Sequence, residues 1–154
     1  MRLREGTAAD AKACAALFTA AVHGLAGQHY DSAQRHAWAP LTPDITFWQQ
    51  RLAGLQVLLA EDASGLLGFI GYAQDGHIDM LFCAPRVARR AVASALYREA
   101  ETRLRQRGVE RLCTEASLLA QPFFLRQGFT SDAREEVERA GVRLPRYRMS
   151  KMLD

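Results

Sequence analysis

The feature that most constrains this chain is an apolar strand that ends at a proline and is followed by a long amphipathic helix. Residues 77–84 have the composition of a buried strand, and Pro85 closes it. Over 88–107, apolar residues recur at every fourth position up to Gly108, which predicts a helix with one buried face. These residues are Val92, Leu96, Ala100 and Leu104. The join predicts an anion site, because a helix N-terminus presents free N–H groups and the positive end of its dipole.

The segments on either side predict the remaining elements. Thr7 and Asp10 form a capping-box-like start for the first helix, and Asp75-Gly76 is a strong hairpin signal. A strand–helix–strand unit among hairpins predicts an α/β (α+β) fold with a mixed, mainly antiparallel sheet of six to seven strands and about four helices. The other predicted strands are 2–4, 57–61, 66–74, 109–116, 129–138 and 143–151, and the other helices are 8–23, 30–38, 43–53 and 119–127.

Length and composition favour one domain, over residues 1–154, with a packed core. Hydrophobic residues make up 49% of the 154 residues, and no apolar run reaches the roughly 18 residues of a membrane span. The N-terminal MRLREG lacks the apolar stretch of a signal peptide, so we expect a cytoplasmic protein that does not bind membranes.

The cysteines predict neither a disulfide framework nor a metal site. The chain has three cysteines, an odd number, and they are widely spaced and form no CxxC pair: Cys14, Cys83 and Cys113. Each is therefore expected to be a small buried hydrophobe.

The net charge of +3 suits an anionic ligand but does not require one. Arginines are frequent between Arg86 and Arg111, but Glu99, Glu101 and Glu110 interrupt them. This pattern is typical of a solvated helix face with i,i+4 pairs, so no nucleic-acid partner is expected.

Three segments resemble the GNAT superfamily of acyl-CoA-dependent N-acetyltransferases, particularly small bacterial members. They are His77–Pro85 with the long helix after it, Glu115–Phe129, and Gly141–Leu153. The early residues Tyr30 to Pro40 are also similar to those members, and the order of elements matches over nearly the whole chain. The resemblance implies that acetyl-CoA is the acyl donor, that no metal takes part, and that a primary amine attacks the thioester directly.

The same resemblance implies which residues hold acetyl-CoA. They are Leu81, Phe82, Cys83, Arg89, Arg90, Ala91, Val92, Ala93, Ser94 and Phe124. The loop departs from the family pattern Gln/Arg-x-x-Gly-x-Gly/Ala, because Ala88 replaces its first position and Ala91 its first glycine. The methyl of Ala91 is expected to keep the diphosphate farther from the loop backbone. Arg89 and Arg90 are expected to compensate in part by pairing with the diphosphate charge.

Catalysis requires a base for the ammonium, a stabiliser for the oxyanion and a leaving thiolate. Asp79 is the preferred base, because an acidic residue at this place serves so in some relatives, through water; otherwise it is a solvated carboxylate or the partner of one of the many arginines. His77 and Glu115 are alternative bases, although Glu115 is also expected to join a structural ion pair. Strand alternation predicts His77, Asp79, Leu81 and Cys83 on one face. The oxyanion donor implied by the family is the main-chain N–H of Cys83 or Phe82.

Three residues are considered as groups that could position or protonate the leaving thiolate. Ser117 either positions the thiol or a water, or caps the following helix. Phe124 stands where many relatives have a tyrosine that protonates the thiolate, and Tyr97 is expected to pack against the sheet. A thiolate is a good leaving group, so loss of the acid need not abolish transfer.

The acceptor remains open at this stage. Aromatic residues of the early helices can receive a cationic amine or can belong to the core; they are His29, Tyr30, Trp38, Phe47 and Trp48. The acceptor is a small-molecule or protein amine, and a homodimer is left open. The alternative function is a catalytically impaired GNAT-fold module that binds CoA or a partner, which the altered loop and Phe124 favour.

Overall fold

The computed structural model describes residues 1–88 and 91–154. Arg89 and Arg90, expected to contact the diphosphate, lie outside the described residues. The elements in chain order are β1 (Arg2–Glu5), α1 (Ala11–Leu25), α2 (Ser32–Trp38), α3 (Ile45–Ala53), β2 (Gln56–Asp62), β3 (Gly65–Tyr72), β4 (His77–Cys83), α4 (Val92–Gln106), β5 (Arg111–Ser117), α5 (Gln121–Arg126), β6 (Thr130–Arg139) and β7 (Val142–Met152). Short 3₁₀ turns cover Ala8–Asp10 and Pro85–Val87.

The predicted mixed sheet is confirmed. The order of its seven strands is β1-β2-β3-β4-β5-β7-β6, and every neighbouring pair is antiparallel except β4 and β5. α4 connects those two parallel strands, as the strand–helix–strand pattern indicated. The predicted Asp75-Gly76 turn joins β3 to β4, with Gly76 at a φ of 104° that favours glycine.

Two apolar layers lie on opposite faces of the sheet. One packs α4 and α5 against the sheet and contains the predicted stripe of Val92, Leu96, Ala100 and Leu104. The other packs α1 and α3 against Val57, Leu59, Phe69 and Met80. Burying both faces accounts for the nearly continuous apolar runs of the central strands β2 and β3.

The first helices begin at polar caps. Thr7 and Asp10 form the predicted capping box, with the Thr7 N–H donating to Asp10 Oδ2 at 2.9 Å. A second capping box, between Asp31 and Gln34, starts α2 at Ser32, two residues later than predicted. Asp44 Oδ1 accepts the N–H of Phe47 at 3.2 Å and so starts α3.

A bulge in β4 changes which face its side chains occupy. Ile78 packs in the α4 layer and Met80 in the α1–α3 layer, although residues two apart in a regular strand share a face. Gly71 of β3 pairs with Met80, and the next residue, Tyr72, pairs with Ile78. The register therefore shifts between them, and Asp79 is the extra residue of the bulge. The prediction that Asp79 shares a face with Leu81 and Cys83 is therefore wrong, since no local pattern marks this bulge.

β4 and β5 separate soon after they start. Within their described residues, the parallel pairing is limited to His77 with Cys113 and Ile78 with Thr114. From there β4 continues towards α4, whereas β5 stays paired with β7 as far as Ser117. The result is a gap between the two central strands, open at their carboxyl ends.

None of the helices in the described residues combines the length and apolar composition that crossing a membrane takes.

Candidate active site

A cavity of about 670 Å³ begins at the gap between β4 and β5. Its floor comes from the two strands, one wall from α1–α3, and another from the β6–β7 ribbon. A smaller cavity of about 70 Å³ adjoins it and includes Cys83. Leu81, Phe82 and Ser117 line both spaces, so the two cavities adjoin along the gap.

Main-chain N–H groups of β4 point into the gap. The N–H of Ala84 donates to Leu67 O on β3 at 2.8 Å, which fixes the direction of the preceding groups by alternation. The N–H of Phe82 is therefore directed to β3, and those of Cys83 and Leu81 to the gap. Of the two oxyanion donors considered from sequence, the geometry favours Cys83, and it adds Leu81.

The start of α4 supplies a second set of N–H groups. Ala91 precedes the helix in the left-handed conformation, with φ 64°, and makes no side-chain cap. The first helical bond runs from Ala95 N–H to Ala91 O at 3.1 Å. The N–H groups of Val92, Ala93 and Ser94 thus come before the helical ladder and are available to an anion. The helix predicted from residue 88 begins later because Ala91 leaves helical geometry.

Asp79 lines the large cavity and forms an ion pair with α3. Arg51 Nε donates to Asp79 Oδ2 at 3.0 Å, and the Arg51 guanidinium lies over the Trp48 ring at 5.9 Å. The bulge directs Asp79 towards α3 and makes this pair possible. The sequence analysis missed Arg51, which lies 28 residues from Asp79 and carries no motif.

The two other base candidates form a pair with each other. His77 Nε2 lies 3.0 Å from both Oε1 and Oε2 of Glu115, which follows the last residue of β5 that pairs with β4. Glu115 lines the large cavity, whereas His77 does not. The expectation that Glu115 joins an ion pair is met when His77 is protonated.

Ser117 ends β5 where the two cavities meet. Its Oγ accepts the N–H of Ala120 at 3.1 Å, and Ala120 is itself the N-cap of α5. Ser117 therefore closes the turn before the helix and does not cap the helix, while its hydroxyl stays on the cavity lining.

Phe124 lies at the edge of the cavity but is buried in an aromatic cluster. Its ring packs edge-on against Phe129 at 5.0 Å and Tyr97 at 6.4 Å. Tyr97 is packed against the sheet, as predicted, and its hydroxyl donates to Glu101 Oε1 at 2.7 Å. Burial is the larger cause that raises the Tyr97 pKa, and this hydrogen bond is the next. The phenol is therefore a poor proton donor at neutral pH.

The cysteines are free thiols, and burial keeps them neutral. Burial raises the pKa of the Cys83 thiol to about 11 and that of Cys14 to about 12. A neutral thiol is a weak nucleophile, so the side chain of Cys83 is not suited to an acyl-enzyme step. Its main-chain N–H is the group that faces the gap.

Most of the predicted aromatic residues surround the large cavity. Trp38, Phe47 and Trp48 line it, and His29 does not. Tyr30 also lines it, but its hydroxyl donates to Pro145 O at 2.7 Å and accepts the Leu118 N–H at 2.9 Å. Tyr30 therefore ties the start of α2 to β5 and β7 instead of offering a free hydroxyl.

Residues 1–88 and 91–154 contain no group of three or more His, Cys, Asp or Glu side chains placed to hold a metal ion. Two basic residues of the lining, Arg139 and Arg146, were not singled out from the sequence. They come from the β6–β7 ribbon, whose charged edge strand resembles any solvated strand in sequence.

The chain is similar to known proteins along most of its length. Residues 28–151 match the model of the acetyltransferase (GNAT) domain. An uncharacterized N-acetyltransferase, YafP of Escherichia coli strain K12, is 35% identical over 142 residues, which cover 92% of this chain and 89% of that protein.

Solved structures share the fold. A GCN5-related N-acetyltransferase from Rhodopseudomonas palustris superposes with a TM-score of 0.94 at 32% identity, covering 99% of this chain and 95% of that one. PaiA N-acetyltransferase from Thermoplasma acidophilum, solved in complex with coenzyme A, gives a TM-score of 0.75 at 15% identity, covering 99% and 98%. The chain therefore belongs to the GNAT acetyltransferase family.

Proposed function

We propose that this protein transfers an acetyl group from acetyl-CoA to a primary amine by direct attack. The observation that carries the proposal is the gap between β4 and β5, which opens at one end beside α4 and at the other into a cavity containing Asp79. The PaiA structure, which contains coenzyme A, has the same fold and supports a CoA donor here.

The donor would be held mainly by the main chain. The N–H groups of Val92, Ala93 and Ser94 and the positive end of the α4 dipole would bind the diphosphate. Arg89 and Arg90 are expected to add charge there. The pantetheine arm would lie in the gap against Leu81, Phe82 and Phe124.

The acceptor amine would attack the thioester carbon from the large cavity. A C–N bond forms, the C–S bond breaks, and CoA leaves as a thiolate. The oxyanion that develops would be stabilised by the N–H groups of Cys83 and Leu81. The amine attacks in its free form, and the proton that its nitrogen then loses would pass to Asp79, directly or through water. Arg51 would hold the Asp79 carboxylate in place. Ser117 would orient the thiol side of the donor or a water beside it.

A second function, a CoA-binding module without transferase activity, is favoured by two residues. Ala91 has a positive φ without being glycine, and Phe124 carries no hydroxyl that can protonate a thiolate. Direct transfer nevertheless fits better, since thiolates leave without an acid and Ala91 retains its N–H.

Thermal-shift titration with acetyl-CoA tests the donor site. The melting temperature is expected to rise with ligand concentration, as it must when a ligand binds only the folded state. Pantetheine, which lacks the diphosphate, is the matched control and should give a much smaller shift. Absence of a shift at millimolar acetyl-CoA would remove both functions.

Release of free thiol from acetyl-CoA, followed with a panel of primary amines, separates the enzyme from the binding module. Amine-dependent release is expected. A protein that is stabilised by acetyl-CoA but releases no thiol with any amine would support the second function.

A further inference from the structure

Most charged groups on the wall of the large cavity already have a partner. Arg51 is bonded to Asp79 at 3.0 Å, and Glu115 to His77 at 3.0 Å. Asp44 accepts the N–H of Phe47 at the start of α3. A ligand that used these groups would have to share or displace an existing bond.

Arg146 is also satisfied. Its Nε and Nη2 both lie 2.7 Å from Glu135 Oε2, directly across the β6–β7 ribbon. Arg148 also approaches Glu135, at 3.7 Å. This carboxylate therefore neutralises the Arg146 side of the cavity.

Arg139 is the exception on this wall. It ends β6, lines the cavity, and donates from Nη1 to the main-chain oxygen of Glu138 at 3.1 Å. Among the described residues, no carboxylate lies within ion-pair distance of its guanidinium. Arg139 is exposed, so it offers a positive charge at the rim of the cavity that an anionic ligand group can neutralise.

The position of Arg139 separates this charge from the proposed base. Arg139 enters the lining from the end of the β6–β7 ribbon, whereas Asp79 enters it from β4, and β5 and β7 lie between them in the sheet. Apolar side chains occupy the wall as well, among them Trp38, Phe47 and Leu144. An acceptor that spans the cavity therefore meets the Asp79–Arg51 pair at one end, an apolar middle, and Arg139 at the other end.

Resting on the proposed function, we propose that the acceptor is a small zwitterionic amine whose amine and carboxylate stand at opposite ends of an apolar chain, as in an ω-amino acid. Its carboxylate pairs with Arg139, which offers a fork of N–H donors suited to a carboxylate. Its amine faces Asp79, and its body packs against the aromatic wall. A cavity of about 670 Å³, shared with the acyl end of the donor, suits a small molecule.

Matched acceptors that differ only in the carboxylate test the class. The panel is ε-aminocaproate, its amide and hexylamine, the corresponding series of a longer ω-amino acid, phenylalanine, and a short C-terminally amidated peptide with a free N-terminus. Thiol release is measured at saturating acetyl-CoA, with amine concentrations corrected to the unprotonated fraction. We expect kcat/KM for an ω-amino acid to exceed that for its amide by at least tenfold, and to exceed that for phenylalanine, whose amine and carboxylate share one carbon.

A variant with its control assigns the effect to Arg139. Arg139→Gln should reduce the preference for acid over amide to near one, chiefly by raising KM for the acid. Arg143→Gln is the control, because Arg143 lies on the same ribbon, pairs with Glu136 and is absent from the cavity wall. It should leave the preference unchanged.

The outcomes separate the acceptor class from the proposed function. If amides, neutral amines, phenylalanine or the peptide react as well as the ω-amino acids, the acceptor proposal is overturned and the transferase function stands. If acetyl-CoA stabilises the protein but no ω-amino acid is acetylated, the acceptor proposal is also overturned. If acetyl-CoA does not bind, the proposed function fails and the acceptor proposal falls with it.

Discussion

The two ends of the cleft are built differently. At the proposed donor end, the polar groups are main-chain N–H groups at the start of α4 and along β4. At the proposed acceptor end they are side chains that come from separate elements, such as Asp79 from β4, Arg51 from α3 and Arg139 from β6. The donor end therefore follows from topology, whereas the acceptor end depends on individual residues that topology does not fix.

This difference determines how substitutions are expected to act at each end. Substitution of a side chain leaves a main-chain N–H in place unless proline is introduced. Substitutions in the acceptor wall alter charge and shape directly. Changes at the acceptor end are thus expected to alter turnover without altering donor binding, and changes at the donor end are expected to do the reverse.

Asp79→Asn is expected to have the largest effect. Removing a general base typically costs 10²-fold or more in rate, so kcat/KM for the amine should fall by about 10²-fold near neutral pH. Stabilisation by acetyl-CoA should be unchanged, because the donor site lies at the other end. Asp132→Asn, on exposed β6, is the control. An Asp79→Asn variant with normal turnover would show that the base lies elsewhere, with Glu115 the next candidate.

Arg51 is a positioning residue, and Arg51→Gln should have a smaller effect. We expect kcat/KM to fall by about tenfold, since the Asp79 carboxylate loses a charged hydrogen bond. Arg51→Lys should recover part of the loss by restoring the charge, which a merely structural packing role would not predict. If Gln and Lys variants behave alike in kcat, Arg51 does not act through the charge of its guanidinium.

Ala91→Gly tests the proposed donor end, because it removes the backbone strain of an alanine in the left-handed conformation. Replacing a residue at positive φ with glycine should stabilise the protein by ~0.5–1 kcal/mol, or about 2 °C. Ala140, with φ 50°, lies in the β6–β7 turn, and Ala140→Gly should stabilise to a similar degree. Only Ala91→Gly should also tighten acetyl-CoA binding, by about threefold, because it removes a methyl beside the diphosphate site. Equal acetyl-CoA affinities in the two variants would argue against a diphosphate at Ala91.

Cys83→Ala is expected to have the smallest effect. The main-chain N–H is retained, and burial holds the thiol pKa at about 11, so the lost group is neutral at the pH of the assay. Turnover should stay within about twofold of the parent in thiol release assays. A tenfold loss with unchanged acetyl-CoA binding would instead indicate a role for the sulfur in the reaction.

The contrast between main-chain groups at one end of the cleft and side chains at the other also determines what the sequence could predict. The α4 stripe from Val92 to Leu104, the end of β4 before Pro85 and the Asp75-Gly76 turn depend on local patterns, and the structure confirms them. They fix the strand–helix join, and with it the place of the free N–H groups. The donor end of the cleft was therefore predictable in outline.

The acceptor end was not, because it depends on contacts distant in sequence. The bulge at Asp79 arises from pairing with β3 and reverses the face expected from alternation. Arg51 and Arg139 reach the cavity only once α3 and the β6–β7 ribbon have packed around it. Neither arginine stands out among the basic residues of the sequence, so their roles needed the assembled fold.

A crystal structure of the protein with acetyl-CoA tests the central claim most directly. The account predicts the diphosphate against the N–H groups of Val92, Ala93 and Ser94, and the thioester in the gap between β4 and β5, with its methyl towards Asp79. Acetyl-CoA bound outside the gap, or a gap in which β4 and β5 close on each other without a donor, would contradict it.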